Sequence, residues 1–97
     1  MKDLQTILAE LRHFEPELTA RYPIRRMGVF GSYARGERTE TSDLDVLVGL
    51  GPGLTVIDLA ALERELGERL GLRVDPALTD ALKPRLAPGI LAEAVMA

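Results

Sequence analysis

The chain has 97 residues, a formal charge of −3, a pI near 5.1 and no cysteine. That leaves room for one small domain, residues 1–97, and excludes a disulfide framework or a thiolate metal site. The acidic balance also argues against a broad grip on nucleic acid, which needs many Lys and Arg contacts to phosphate, so no direct nucleic-acid binding is expected.

Met1 to Glu10 alternates charged and apolar residues. It lacks the uninterrupted apolar run of a secretory signal or a membrane span, so a cytoplasmic protein is expected. Leu4, Ile7, Leu8 and Leu11 recur at helical spacing, which predicts an amphipathic helix over Asp3 to Phe14. Pro16 limits it, and Glu15-Pro16-Glu17 is expected to open a second short helix toward Tyr22. His13, the sole histidine, lies on a charged face and reads as solvated.

Ile24 to Phe30 reads as a strand that enters Gly31-Ser32, where the chain must turn before a short helix at Tyr33 to Arg35. A polar loop, Gly36 to Ser42, follows. Asp43 to Val48 starts with period-two alternation and ends apolar, the pattern of a strand with its far half buried, and Gly49 to Gly53 reads as a loop. Thr55 is placed to cap a helix whose Leu59, Leu62, Leu66 and Leu70 face the core while Glu63, Glu65, Glu68 and Arg69 face water. Gly71 ends it. Leu72 to Asp75 reads as a short strand closed by Pro76, and the rest as one or two short helices broken by Pro84 and Pro88. The expected fold is α/β (α+β): a mixed sheet of three or four strands with helices packed on one face and three aspartates clustered at one edge.

Two features carry chemistry. Residues i and i+2 of a strand share a face, so Asp43 and Asp45 present two carboxylates that are able to share a hard cation such as magnesium. Taken alone, Asp-x-Asp is more often a strand end with solvated acids. Gly31-Ser32, between an apolar strand and a helical turn, offers backbone amides and a hydroxyl to a phosphate, although Gly-Ser alone is also an ordinary turn. Five arginines between Arg21 and Ser42 against Glu37 and Glu40 make that region locally positive, which suits a polyphosphate such as a nucleoside triphosphate better than a duplex. Arg35 is the leading candidate for a phosphate contact, with Arg38, Lys83 and Arg85 as weaker ones. Tyr22 and Tyr33 are too few and scattered to form a base-stacking platform.

The combination is more specific than its parts. Phe30-Gly31-Ser32-Tyr33-Ala34-Arg35-Gly36-Glu37 followed by Ser42-Asp43-Leu44-Asp45-Val46-Leu47-Val48 resembles the minimal nucleotidyltransferases of the DNA polymerase beta superfamily. The resemblance covers roughly Ile24 to Pro76. It implies that Gly31 and Ser32 hold nucleotide phosphates, that Asp43 and Asp45 bind two magnesium ions, and that a third carboxylate stands on a neighbouring strand. Asp75 is the acid placed for that role, to complete a metal site and accept the proton of the attacking hydroxyl; otherwise it is a turn residue before Pro76.

Stand-alone domains of this kind are similar to the antitoxin half of two-gene toxin–antitoxin pairs, whose partner is a helical HEPN ribonuclease. This resemblance implies transfer of AMP from ATP to a tyrosine of the toxin. Two alternatives stay open: transfer to a small-molecule hydroxyl, disfavoured because larger relatives use a second domain to hold the acceptor, and a non-catalytic antitoxin that neutralises by masking. The apolar segment Ile90 to Met96 is a possible partner contact.

Overall fold

The computed structural model describes residues 2–51, 53 and 55–97. Along the chain it forms α1 (Leu4–Arg21), β1 (Ile24–Phe30), α2 (Ser32–Arg35), β2 (Leu44–Leu50), α3 (Val56–Leu70), β3 (Val74–Leu78), a 3-10 turn at Thr79–Ala81, α4 (Ala87–Glu93) and β4 (Val95–Met96). The four strands make one mixed sheet in the order β3-β2-β1-β4. β1 is antiparallel to both β2 and β4, whereas β2 and β3 run parallel. The expected α/β class and strand number therefore hold.

The apolar stripes form the core. Ile7, Leu8, Leu11 and Leu18 of α1 and Leu62, Leu66 and Leu70 of α3 pack with Met27, Val29, Leu44, Val46, Val48 and Val74 of the sheet. Each such side chain, fully buried, contributes about 1.5–3 kcal/mol from the removal of apolar surface from water. Leu47 alternates with Val46 and Val48, so it points to the opposite face. It is buried there nonetheless, beside a recess shared with Thr79, Leu91, Ala94 and Met96. The C-terminal segment thus covers part of the second face.

Where structure and sequence differ, proline is the usual reason. The two helices expected on either side of Glu15 are one, with Pro16 inside α1. Proline removes one helical hydrogen bond. Leu11 and Leu18 lie seven residues apart on one stripe, however, and burying both requires the helix to run on through the exposed Pro16. Pro76 likewise lies within β3 rather than closing it, opposite Val46. β3 is an edge strand, and an edge tolerates a residue with no N–H to donate. Pro88 sits in the first turn of α4, where the missing N–H costs nothing, so it starts a helix instead of breaking one.

Other boundaries shift by a residue or two. β2 begins at Leu44 and takes in Gly49 and Leu50, the start of the expected loop; Pro52 of that loop lies outside the described residues. Thr55 caps α3 as expected. Its hydroxyl accepts from the Asp58 amide at 3.1 Å while the Asp58 carboxylate accepts from the Thr55 amide at 3.1 Å, a reciprocal capping box. Gly71 ends α3 in the left-handed region. Glu65 and Arg69 are not solvated face residues: they are partly buried at the seam between α1 and α3, where Arg69 pairs with Glu17 and Glu65, and Glu65 with Arg21.

Candidate active site

The site is built at the end of β1. Gly31 leaves the strand with φ 74° and ψ −152°, a conformation that only glycine adopts without strain. The lack of a side chain matters equally for space. A Cβ at this position would lie 3.0 Å from Cγ of Asp45 and closer still to its Oδ2. Gly31 therefore lets the turn press directly against the Asp45 carboxylate. Ser32 to Arg35 then form a single helical turn, which Gly36 ends in the left-handed region.

Strand register fixes the neighbouring acids. Asp45 is the partner of Phe30 in the β1–β2 ladder and of Asp75 in the parallel β2–β3 ladder. The Gly31 turn, Asp45 and Asp75 consequently stand in a row across three adjacent strands, at one end of the sheet rather than along its lateral edge. Asp45 is half-buried, and its pKa is raised by that burial first and then by the charges of Asp75 and Asp43, with Arg35 opposing. Asp43 lies one residue before β2, at its mouth. Its Oδ1 is 3.2 Å from Nε of Arg73, which also donates to the Thr41 carbonyl at 3.2 Å.

Sequence reasoning missed Glu93. Its Oε1 accepts from the Gly31 amide at 2.8 Å, and Nη1 of Arg35 lies 3.1 Å from Oε2. Nε of Arg35 meets Glu37 as well. The Gly31 amide and Arg35 hold the Glu93 carboxylate below the usual range. The one signal in the sequence was an isolated acid inside the apolar stretch Ile90 to Met96.

Of the arginine candidates, Arg38 lies over the ring of buried Tyr33, 5.6 Å from its centroid, and Lys83 and Arg85 are exposed before α4. An open cleft of about 640 Å³ adjoins the row of acids on its Asp75 side, lined by Asp43, Glu63, Arg64, Glu68, Arg73 and Asp75. Among the described residues, no three acid or imidazole side chains converge closely enough to form a metal-ligand cluster. The three aspartates are thus neighbours and not a preassembled triad. Asp43 faces Arg73 rather than Asp45 and Asp75.

Even so, the donors suit a hard divalent cation. They are all carboxylate oxygens, and the pKa of Asp45, raised by burial first and then by the charges of Asp75 and Asp43, marks a carboxylate whose charge a nearby cation would stabilise.

The model of the nucleotidyltransferase domain family matches residues 11–96. The chain belongs to that family. Over 95 residues this nucleotidyltransferase is 40% identical to the protein adenylyltransferase MntA of Thermococcus cleftensis, with 98% of this chain and 96% of the relative covered. A solved minimal nucleotidyltransferase superposes with a TM-score of 0.81 at 45% identity, covering 97% of this chain and 95% of that one. At 19% identity the fold alone is shared with a chain of the complex between tri-AMPylated HEPN toxin and MNT antitoxin of Shewanella oneidensis, with a TM-score of 0.69 over 93% of this chain and 70% of that one. No described helix is long and apolar enough to cross a membrane.

Proposed function

We propose that residues 1–97 act as one cytoplasmic, magnesium-dependent protein adenylyltransferase domain, which moves AMP from ATP onto a tyrosine hydroxyl of a helical HEPN-type toxin and so silences it. The observation that carries this reading is the row of Gly31, Asp45 and Asp75 across adjoining strands, which sets a glycine turn against one carboxylate with a second carboxylate in register beside it. The 40% identity to an adenylyltransferase over nearly the whole of both chains supports the choice of AMP and of a protein acceptor.

The roles follow from charge and position. The Gly31 amide, the Ser32 hydroxyl and Arg35 bind and orient the triphosphate, whose leaving pyrophosphate lies on their side. Asp43, Asp45 and Asp75 are the residues to hold two magnesium ions, which when bound neutralise phosphate charge and make the acceptor hydroxyl more acidic. An Asp75 carboxylate oxygen takes the proton of that hydroxyl. The acceptor oxygen bonds to the α-phosphorus as the bond to the bridging oxygen of pyrophosphate breaks. In-line displacement brings the acceptor from the side opposite the leaving group. The open cleft beside Asp75 is the space we assign to the acceptor.

The test is the intact mass of the helical partner after incubation with this chain, ATP and magnesium, beside an Asp43→Asn, Asp45→Asn control. Gain of whole AMP units, absent from the control, is expected. A stable complex with no gain in mass would favour the second reading, neutralisation by masking, to which the Asp43–Arg73 and Arg35–Glu93 pairs lend some support.

A further inference from the structure

We propose that Glu93 is an internal stand-in for a nucleotide phosphate: its carboxylate occupies the Gly31 amide and Arg35, and a triphosphate binds only by displacing it. The inference rests on the nucleotide site proposed above and goes on to name the competitor within it.

The Gly31 amide and the Arg35 guanidinium are donors of the kind that recognise phosphate oxygens. Here both are bonded to one carboxylate, at 2.8 Å and 3.1 Å. The site is therefore already satisfied by an anion of the same chain, 62 residues from Gly31. Glu93 also places a further negative charge near Asp45. A triphosphate arriving there meets an occupied amide, a paired guanidinium and added repulsion. Leaving Glu93 in place would set carboxylate against phosphate with a single backbone N–H to share at Gly31, so the two exclude each other there.

The segment that carries Glu93 is weakly held. α4 contributes no buried residue, and Leu91 on it is about half exposed, at 48%. Beyond it β4 meets β1 at only two pairs, Gly28 with Met96 and Val29 with Val95, with one further bond from the Ala97 amide to the Met27 carbonyl. Gly28 makes this docking feasible, since a Cβ there would lie 2.9 Å from the Val95 carbonyl oxygen. A short segment with few buried contacts is of the class that opens locally at low cost. Val95 and Ala97 of this tail rest against the main core, so it is α4, on the other face of the sheet, that swings Glu93 away while that core stays intact.

The experiment is calorimetric titration of the full chain with ATP and with inorganic tripolyphosphate, in magnesium, for wild type and Glu93→Gln. The amide keeps the shape of the side chain and removes its charge. Both ligands should bind the variant about three- to tenfold more tightly, the range expected from losing one partly buried charge-assisted competitor. Unchanged or weaker binding by E93Q overturns the proposal while leaving the nucleotide site in place, because wild type still binds ATP. Failure of both proteins to bind either ligand overturns the nucleotide site and this proposal together. Should E93Q not fold, a ¹⁵N titration of wild type with tripolyphosphate decides the matter. The Ala92 to Met96 amides should shift along with Gly31, and a Gly31 shift with the C-terminal amides unmoved overturns the proposal.

Discussion

Asp45 stands in register with Asp75 across the parallel β2–β3 pair, and the Asp75 charge is second only to burial in lifting Asp45 above the usual carboxylate range. A folded-state pKa raised above the unfolded value means that the Asp45 carboxylate costs stability above the raised pKa, and that the cost fades as pH falls through it. Asp45→Asn should therefore stabilise the metal-free protein near neutral pH. The gain should be on the order of 0.5 kcal/mol, small because the group is partly solvated. Urea denaturation at pH 7.5 should show the gain, and repeating it in acid should show the gap closing. A variant less stable than wild type at pH 7.5 would remove the picture of a carboxylate strained by burial and by its acidic neighbours.

Gly31→Ala should be among the most damaging small substitutions. It forces a side chain into a positive-φ conformation and drives a methyl group into the Asp45 carboxylate. A loss of about 2–3 kcal/mol is expected from the two effects together. Equilibrium unfolding checks it, and a loss under 1 kcal/mol would mean that the turn relaxes away from Asp45.

Arg73→Ala should barely alter stability, by about 0.5 kcal/mol or less, since the Asp43–Arg73 pair is exposed on both sides. It should, however, free Asp43 to join Asp45 and Asp75. Tighter magnesium binding, read as a larger rise in Tm per added magnesium than wild type shows, is the expected result. An equal rise would mean that Arg73 does not compete for Asp43.

Thr55→Ala removes one half of the capping box with Asp58 and should cost about 1 kcal/mol. Asp58→Ala should cost a comparable amount, and the double variant less than the sum, because both bonds hold the same first turn and either loss frays it. Strict additivity in that cycle would show that the two caps act independently.

The parts of the fold readable in advance are those whose signal is local. Leu62, Leu66 and Leu70 announce α3 by spacing, and Gly31-Ser32 with Asp43-Leu44-Asp45 marks the candidate site by motif. Pro16 and Pro76 misled because propensity is a local preference, and the burial of Leu18 and the edge position of β3 are tertiary facts that override it. β4, two residues long, has no period to detect. Glu93 was out of reach for the same reason, since nothing near it in sequence hints at Gly31. The register of Asp45 with Asp75 and the pairing of Asp43 with Arg73 are likewise contacts between strands and loops that no spacing encodes.

Tyr33 follows Ser32 directly and is only 3% exposed, with the Arg38 guanidinium over its ring. The chain has two tyrosines and no tryptophan, so its near-ultraviolet spectrum has few sources. Half of its tyrosine complement is thus wedged behind the Gly31 turn, where a shift of the turn or of Arg38 alters the ring's surroundings. The protein carries its own optical reporter, and Tyr22→Phe would leave Tyr33 as the sole phenol from which to follow ligand arrival without any added dye.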